Sequence, residues 1–133
     1  MDSQAKDIMT SELLTVKPET TIEEALRMLV NNRVTGLPVI SGTGKMVGVV
    51  SEYDLLVQIA KSKKSAGAIF QQKIHFSKKV KTVRETATLS QIAPLFVKFK
   101  FRRLPVVDKA GKLVGIITRR DMMRIYYYRA KLG

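Results

Sequence analysis

The chain has 133 residues, 45% of them apolar and 26% charged, with no cysteine and a formal net charge of +13. That is enough chain and apolar content for one globular domain, or for two small motifs sharing a core. It excludes disulfides and thiolate metal sites, and no run approaches the roughly 18 consecutive apolar residues of a membrane span.

The start, "MDSQAKDIMT", carries two acids and no apolar leader-like run, so a cytoplasmic protein is expected. Charge is unevenly placed. Residues 1–54 hold five basic and eight acidic side chains, net −3, while residues 55–133 hold nineteen basic and three acidic, net +16. Such a half favours polyanions or free nucleotides, or simply keeps the surface solvated.

The first predicted element is a short extended segment ending at Thr15-Val16. A helix follows, opened by Thr21 and Glu24 in a T-x-x-E capping pattern. Its apolar stripe is Ile22, Ala25, Leu26, Leu29 and Val30, spaced i, i+3, i+4, i+7, i+8. Two strands, Leu37–Ile40 and Met46–Val50, flank "SGTGKMVG". That stretch looks like a phosphate loop, but Val39 stands where a P-loop needs its first Gly and Met46 follows Lys45. A strand follows it instead of a helix, so it reads as a hairpin turn. A second helix starts near Glu52, and "QIAKSKKSAGAIFQQ" prolongs it before a break near Ser65 or Gly67.

Shifting the chain by 67 residues then aligns it on itself without a gap, "GLPVISGTGKMVGVVSEYDL" over "RLPVVDKAGKLVGIITRRDM". The second copy repeats every element: Thr82-Val83, a T-x-x-Q cap at Thr88 and Gln91, the stripe Leu89, Ile92, Ala93, Phe96 and Val97, strands Leu104–Val107 and Leu113–Ile117, and a helix near Arg119. Pro94 sits inside the second stripe and should kink or delay that helix. Tyr126–Tyr128 cannot all face one helical side. Each copy is β-α-β-β-α, giving an α/β (α+β) fold of two motifs packed by a pseudo-twofold. The expected boundaries are 6–57, a connector over 58–72, 73–124, and a basic, Tyr-rich extension over 125–133.

"DIMT…LTV", "VTGLPVI…GKMVGVVSEYD" and "FRRLPVVD..GKLVGIITRRD" resemble a tandem pair of cystathionine-β-synthase (CBS) domains, a Bateman module, over roughly Lys6 to Arg124. The resemblance implies a protein that is not an enzyme. It implies sensing of AMP, ADP, ATP or S-adenosylmethionine in clefts between the copies, with no required cofactor. It also implies a homodimer regulating a separate partner. The family's motif, Gly-h-h-Ser/Thr-x-x-Asp, falls on Gly48–Asp54 and Gly115–Asp121. Ser51 or Thr118 would end a strand at a helix start, where a hydroxyl and free amides can meet a phosphate. The aspartate three residues on can accept both hydroxyls of a ribose. The bland alternative is that these are helix caps and first-turn acids.

By the family's pattern one cleft pairs Thr118 and Asp121 with Thr10, Leu14, Val34 and Thr35, the apolar pair flanking adenine. The other pairs Ser51 and Asp54 with Lys81, Phe101, Arg102 and Arg103. Because Arg119 and Arg120 lie near the phosphates of the first, while Lys81 and Glu52 disfavour the second, Asp121 is expected to be the stronger anchor. His75 is the single histidine and no acid cluster surrounds it, so no metal is expected. Met28, Met46, Met122 and Met123 fall on core-like positions. The stripes, including Leu26, Leu29, Leu55, Leu56, Phe96, Met122 and Met123, exceed what a small core should bury, which points to self-association. Two alternatives are a basic nucleic-acid-binding protein and an interaction module without ligand.

Overall fold

A computed structural model describes residues 2–99 and 101–132; Gly133, the last residue of the expected extension, lies outside them. In chain order the elements are α1 (Ala5–Ile8), α2 (Ile22–Asn32), β1 (Gly36–Ile40), β2 (Met46–Ser51), α3 (Glu52–Lys61), α4 (Ala66–Phe70), β3 (Val83–Arg84), α5 (Leu89–Phe99), β4 (Arg103–Val107), β5 (Leu113–Thr118) and α6 (Arg119–Leu132). They gather into two units, one holding the chain up to Leu13 with everything from Lys81 on, the other Leu14–Val80. The packing units are therefore not the contiguous repeats: each takes its entry segment from the other copy's sequence.

In the Leu14–Val80 unit, β1 and β2 form an antiparallel hairpin with Leu37 opposite Val50 and a bulge between Val39 and Ile40. Val16 flanks β1, its amide donating to the Pro38 carbonyl (3.0 Å) and its carbonyl accepting from Ile40 (2.8 Å). At the other edge Ser77 exchanges two backbone bonds with Val49, at 2.9 and 3.0 Å. Ile22, Ala25 and Leu29 of α2 close the core over Leu37, Val39, Val50 and Leu55, with Ile69 and Ile74. Gln58, itself buried, ties down the incoming segment: its Nε2 donates to the Lys73 carbonyl (2.8 Å) and its Oε1 accepts from the His75 amide (2.9 Å).

The other unit repeats this frame. β3 runs parallel to β4, which pairs antiparallel with β5, and the bulge recurs between Val106 and Val107. Thr10 flanks β5, exchanging two 2.9 Å backbone bonds with Ile116. Its core is Ala5, Ile8, Val83, Leu89, Ile92, Phe96, Leu104, Val106, Ile117 and Met122.

The Gly-rich stretch is a hairpin turn. Ser41 donates to the Lys45 carbonyl and Asp108 to that of Lys112, both at 2.9 Å. Gly44 and Gly111 take φ +85°, which side chains beyond glycine rarely adopt.

Several expectations are corrected. The break after α3 lies at Ser62–Ser65; Gly67 is inside α4, whose start is fixed by Ser65 accepting from the Ala68 amide (3.3 Å). Pro94 does not delay α5, because the cap at Thr88 forms in full: Gln91 Oε1 accepts from the Thr88 amide (3.0 Å) and Thr88 Oγ1 from the Gln91 amide (3.3 Å). At Thr21 only the hydroxyl half forms, accepting from Glu24 (3.2 Å). The stripes are narrower than read, since Val30 and Val97 are exposed. Met123 is exposed as well, and Tyr126, Tyr127 and Tyr128 are all exposed.

The asymmetry of the caps is testable. Thr88→Ala is expected to lower unfolding stability by about 1 kcal/mol, and by more than Thr21→Ala, in parallel urea titrations.

Candidate functional site

In both units the second hairpin strand runs into a helix without a linker, so its last residue is also the helix cap. At β2–α3 the Asp54 amide donates to Ser51 Oγ (3.1 Å) and the Ser51 amide to Asp54 Oδ2 (2.9 Å). At β5–α6 the Asp121 amide donates to Thr118 Oγ1 (3.1 Å) and the Thr118 amide to Asp121 Oδ2 (2.8 Å). The bland reading of these residues is thus realised: they are reciprocal caps.

The next amides are also committed, Glu52 to the Thr35 carbonyl (2.9 Å) and Arg119 to the Arg102 carbonyl (3.1 Å). Two of the first three helical amides at each turn are therefore engaged. Each turn retains a hydroxyl hydrogen, since Ser51 and Thr118 accept through oxygen and can still donate, and Asp54 also retains one carboxylate oxygen.

The motif glycines have a packing reason. A methyl group at Gly48 would lie 2.5 Å from the Ser77 carbonyl and from the Phe76 ring; one at Gly115 would strike the Met9 side chain. Phe76 and Ser77 are the 67-residue counterparts of Met9 and Thr10. The sequence named Thr10 for one turn and Lys81, the counterpart of Leu14, for the other, and left out Ser77, the counterpart of Thr10. The missed signal was the shift itself.

Thr10 pairs with Ile116, two residues before Thr118, and Ser77 with Val49, two residues before Ser51; Ser77 and Asp54 line one cavity. Arg119 lies beside Phe101 and Arg102, its Nε donating to the Phe101 carbonyl at 2.9 Å. Phe101 stacks on Phe99 with ring centres 5.5 Å apart. Burial holds the Arg103 guanidinium below the usual arginine range; Arg102 and Lys81 are exposed. Leu14, Val34 and Thr35 belong to the other unit, where Val34 packs half-buried on the core and Leu14 and Thr35 are exposed.

The two aspartates differ in surroundings. Asp121 is only 4% exposed, and its Oδ1 accepts from Arg124 Nη2 at 2.9 Å. Asp54 is half-buried and lines a cavity of about 650 Å³ inside its own unit, with Lys61, His75, Phe76 and Ser77. Among the described residues no cluster of three or more His, Cys, Asp or Glu is arranged to hold a metal, and no helix is long and apolar enough to cross a membrane.

A repeated strand–turn–helix unit with a Ser/Thr–Asp cap defines a paired-motif module, and the family model for the CBS domain matches residues 5–61 and again 73–128. The chain belongs to the CBS-domain family. It is 40% identical, over 85% of its length, to CBS domain-containing protein CBSX1, chloroplastic, of Arabidopsis thaliana, and 39% identical over 89% to CBSX2, chloroplastic, of the same plant. It spans 58% and 61% of those relatives. The crystal structure of CBSX2 in complex with AMP superposes with a TM-score of 0.81 at 39% identity, covering 96% of this chain and 98% of that one. The CBS domain pair of protein MJ0100, in complex with 5′-methylthioadenosine and S-adenosyl-L-methionine, gives 0.76 at 26% identity, covering 97% and 99%.

Proposed function

We propose that the chain is a non-catalytic regulatory module that binds an adenosine-containing nucleotide (AMP, ADP, ATP or S-adenosylmethionine) at its strand-to-helix turns. In this reading it acts on a separate protein as a homodimer. The observation that carries the reading is the twofold Ser/Thr–Asp turn in a chain 39% identical to a protein solved with AMP. The chemistry supports it: a carboxylate is an acceptor for ribose hydroxyls, and a capping hydroxyl keeps its hydrogen for a phosphate. Thr10, Thr118 and Asp121 form one set, and Ser51, Asp54 and Ser77 the other.

A thermal-shift panel of AMP, ADP, ATP and S-adenosylmethionine tests it. At least one ligand should raise the melting temperature, with the shift growing as its concentration rises. No shift from any of the four at millimolar concentration would refute the reading.

The second reading, nucleic-acid binding, rests on net charge and on the exposed end of α6, where Tyr126–Tyr128 lie beside Arg129 and Lys131. Tyr127 is partly engaged already, edge-on to Tyr128 and under Lys131 Nζ at 5.9 Å. A duplex complex would weaken by about 0.9 log units per log unit of salt for each phosphate contacted. Binding is expected to be undetectable near physiological salt in a fluorescence-anisotropy titration; a micromolar, salt-steep complex would favour this second reading.

A further inference from the structure

We infer that the two motif aspartates are unequal, Asp54 being the open acceptor for a nucleoside phosphate and Arg124 a cover that closes Asp121. This rests on the adenosine reading and names which turn fills first. It reverses the order that the sequence suggests.

The caps themselves are alike. Their paired hydrogen bonds differ by no more than 0.1 Å between the units. The difference lies one helical turn on. Arg124 spends Nη2 on Asp121 Oδ1, so both oxygens of that buried carboxylate are engaged. Its counterpart, 67 residues earlier, is Val57, which has nothing to donate. Among the described residues Asp54 makes no ion pair. A ribose reaching Asp121 must first displace a charge-assisted hydrogen bond, about twice as strong as a neutral one; at Asp54 it displaces none.

The walls differ in the same sense. The cavity beside Asp54 is lined by Gln72, His75 and Lys61. The counterparts of the first two in the other unit are Ala5 and Ile8, both buried in its core. The counterpart of Lys61 is Tyr128. Two donors of the cavity are thus replaced by buried apolar side chains in the other unit. At about 650 Å³ the cavity falls in the ordinary range for a small-molecule site, roughly 300–1,000 Å³. It offers an acceptor for a diol at Asp54, an aromatic surface at Phe76, and donors for a phosphate at Lys61 and His75. The ligand class this fits is a nucleoside phosphate with an intact ribose diol.

Calorimetric titration of the full chain with AMP tests the proposal. Asn at either aspartate keeps an oxygen for the cap, so Asp54→Asn and Asp121→Asn remove charge while leaving the helix start. The tight site should have a stoichiometry of one per chain. Asp54→Asn and Val57→Arg should weaken it tenfold or more, and Asp121→Asn should weaken it less than Asp54→Asn does. Arg124→Val should raise the stoichiometry toward two. Lys61→Ala and His75→Ala, both on exposed residues, should weaken AMP more than adenosine. The proposal fails if Asp121→Asn weakens the tight site as much as Asp54→Asn, or if Arg124→Val leaves the stoichiometry at one. It also fails if the unmodified chain fills two equal sites, although the adenosine reading would then stand. If neither the unmodified chain nor Arg124→Val binds AMP, ADP, ATP or S-adenosylmethionine, both fall.

Discussion

Gly48→Ala is expected to destabilise the protein by about 1–3 kcal/mol, the usual cost of overpacking a filled interior, and Gly115→Ala by less. The added methyl group at Gly48 would meet the Ser77 carbonyl oxygen and the Phe76 ring, each at 2.5 Å. Neither can yield easily. The Ser77 carbonyl is held by the Val49 amide at 2.9 Å, and moving it breaks the pairing that seats this segment on β2. At Gly115 the obstacle is the side chain of Met9, unbranched and with several rotatable bonds, which can swing aside. Urea unfolding of the two variants in parallel measures the difference. A neutral Gly48→Ala would contradict the seating of Phe76 and Ser77 on β2. Because the comparison uses no ligand, it separates the structural demand for glycine from any role in binding.

Self-association carries the other large expected effect. Val30 and Val97 are 71% and 80% exposed, and Leu56 and Met123 are 63% and 67% exposed. These are two pairs at the repeat distance of 67, so the same helical positions are left uncovered in both units. Leu29, Leu55, Phe96 and Met122, also named from the sequence, are instead buried in the cores. Left uncovered at the same helical positions in both units, these side chains are candidates for an association surface, and a twofold dimer is the commonest closed form. The unmodified chain is expected to sediment as a dimer at tens of micromolar, and Leu56→Asp with Met123→Asp as a monomer. A carboxylate left unpaired in a dry interface costs several kcal/mol, so the dissociation constant should rise by about a hundredfold or more. Both residues are largely exposed within one chain, so folding stability should move by only about 0.5 kcal/mol per substitution. An unmodified chain that sediments as a monomer, with and without AMP, would dismiss the dimer.

The repeat made much of this legible in the sequence. A gapless shift fixes which glycines turn hairpins and which residues end strands, because turn chemistry and period-2 alternation are local. It also placed the Ser51–Asp54 and Thr118–Asp121 turns. The exchange of entry segments came only from the family's pattern, which set Thr10 with Thr118 and Asp121, and not from the residues themselves. Which sheet edge Thr10 or Ser77 joins depends on pairings with Ile116 and Val49, tens of residues away, and four or five extended residues carry no address. The state of the aspartates was half legible. The shift sets Val57 against Arg124 on the page, but an ion pair at i, i+3 depends on where α6 sends the guanidinium. The stripes misled at their edges because a helix on a thin sheet buries about one side chain per turn: Ile22, Ala25 and Leu29 go in, and Val30 stays out.

The measurement that bears most directly on the account is calorimetric titration of the full chain with AMP and with 2′-deoxy-AMP. If a motif carboxylate accepts the ribose diol, AMP binds and loss of the 2′-hydroxyl removes a hydrogen bond to a charged group, worth about 1.5–3 kcal/mol. The deoxy analogue should then bind some 10–150-fold more weakly. Equal affinity for the two nucleotides would contradict the account.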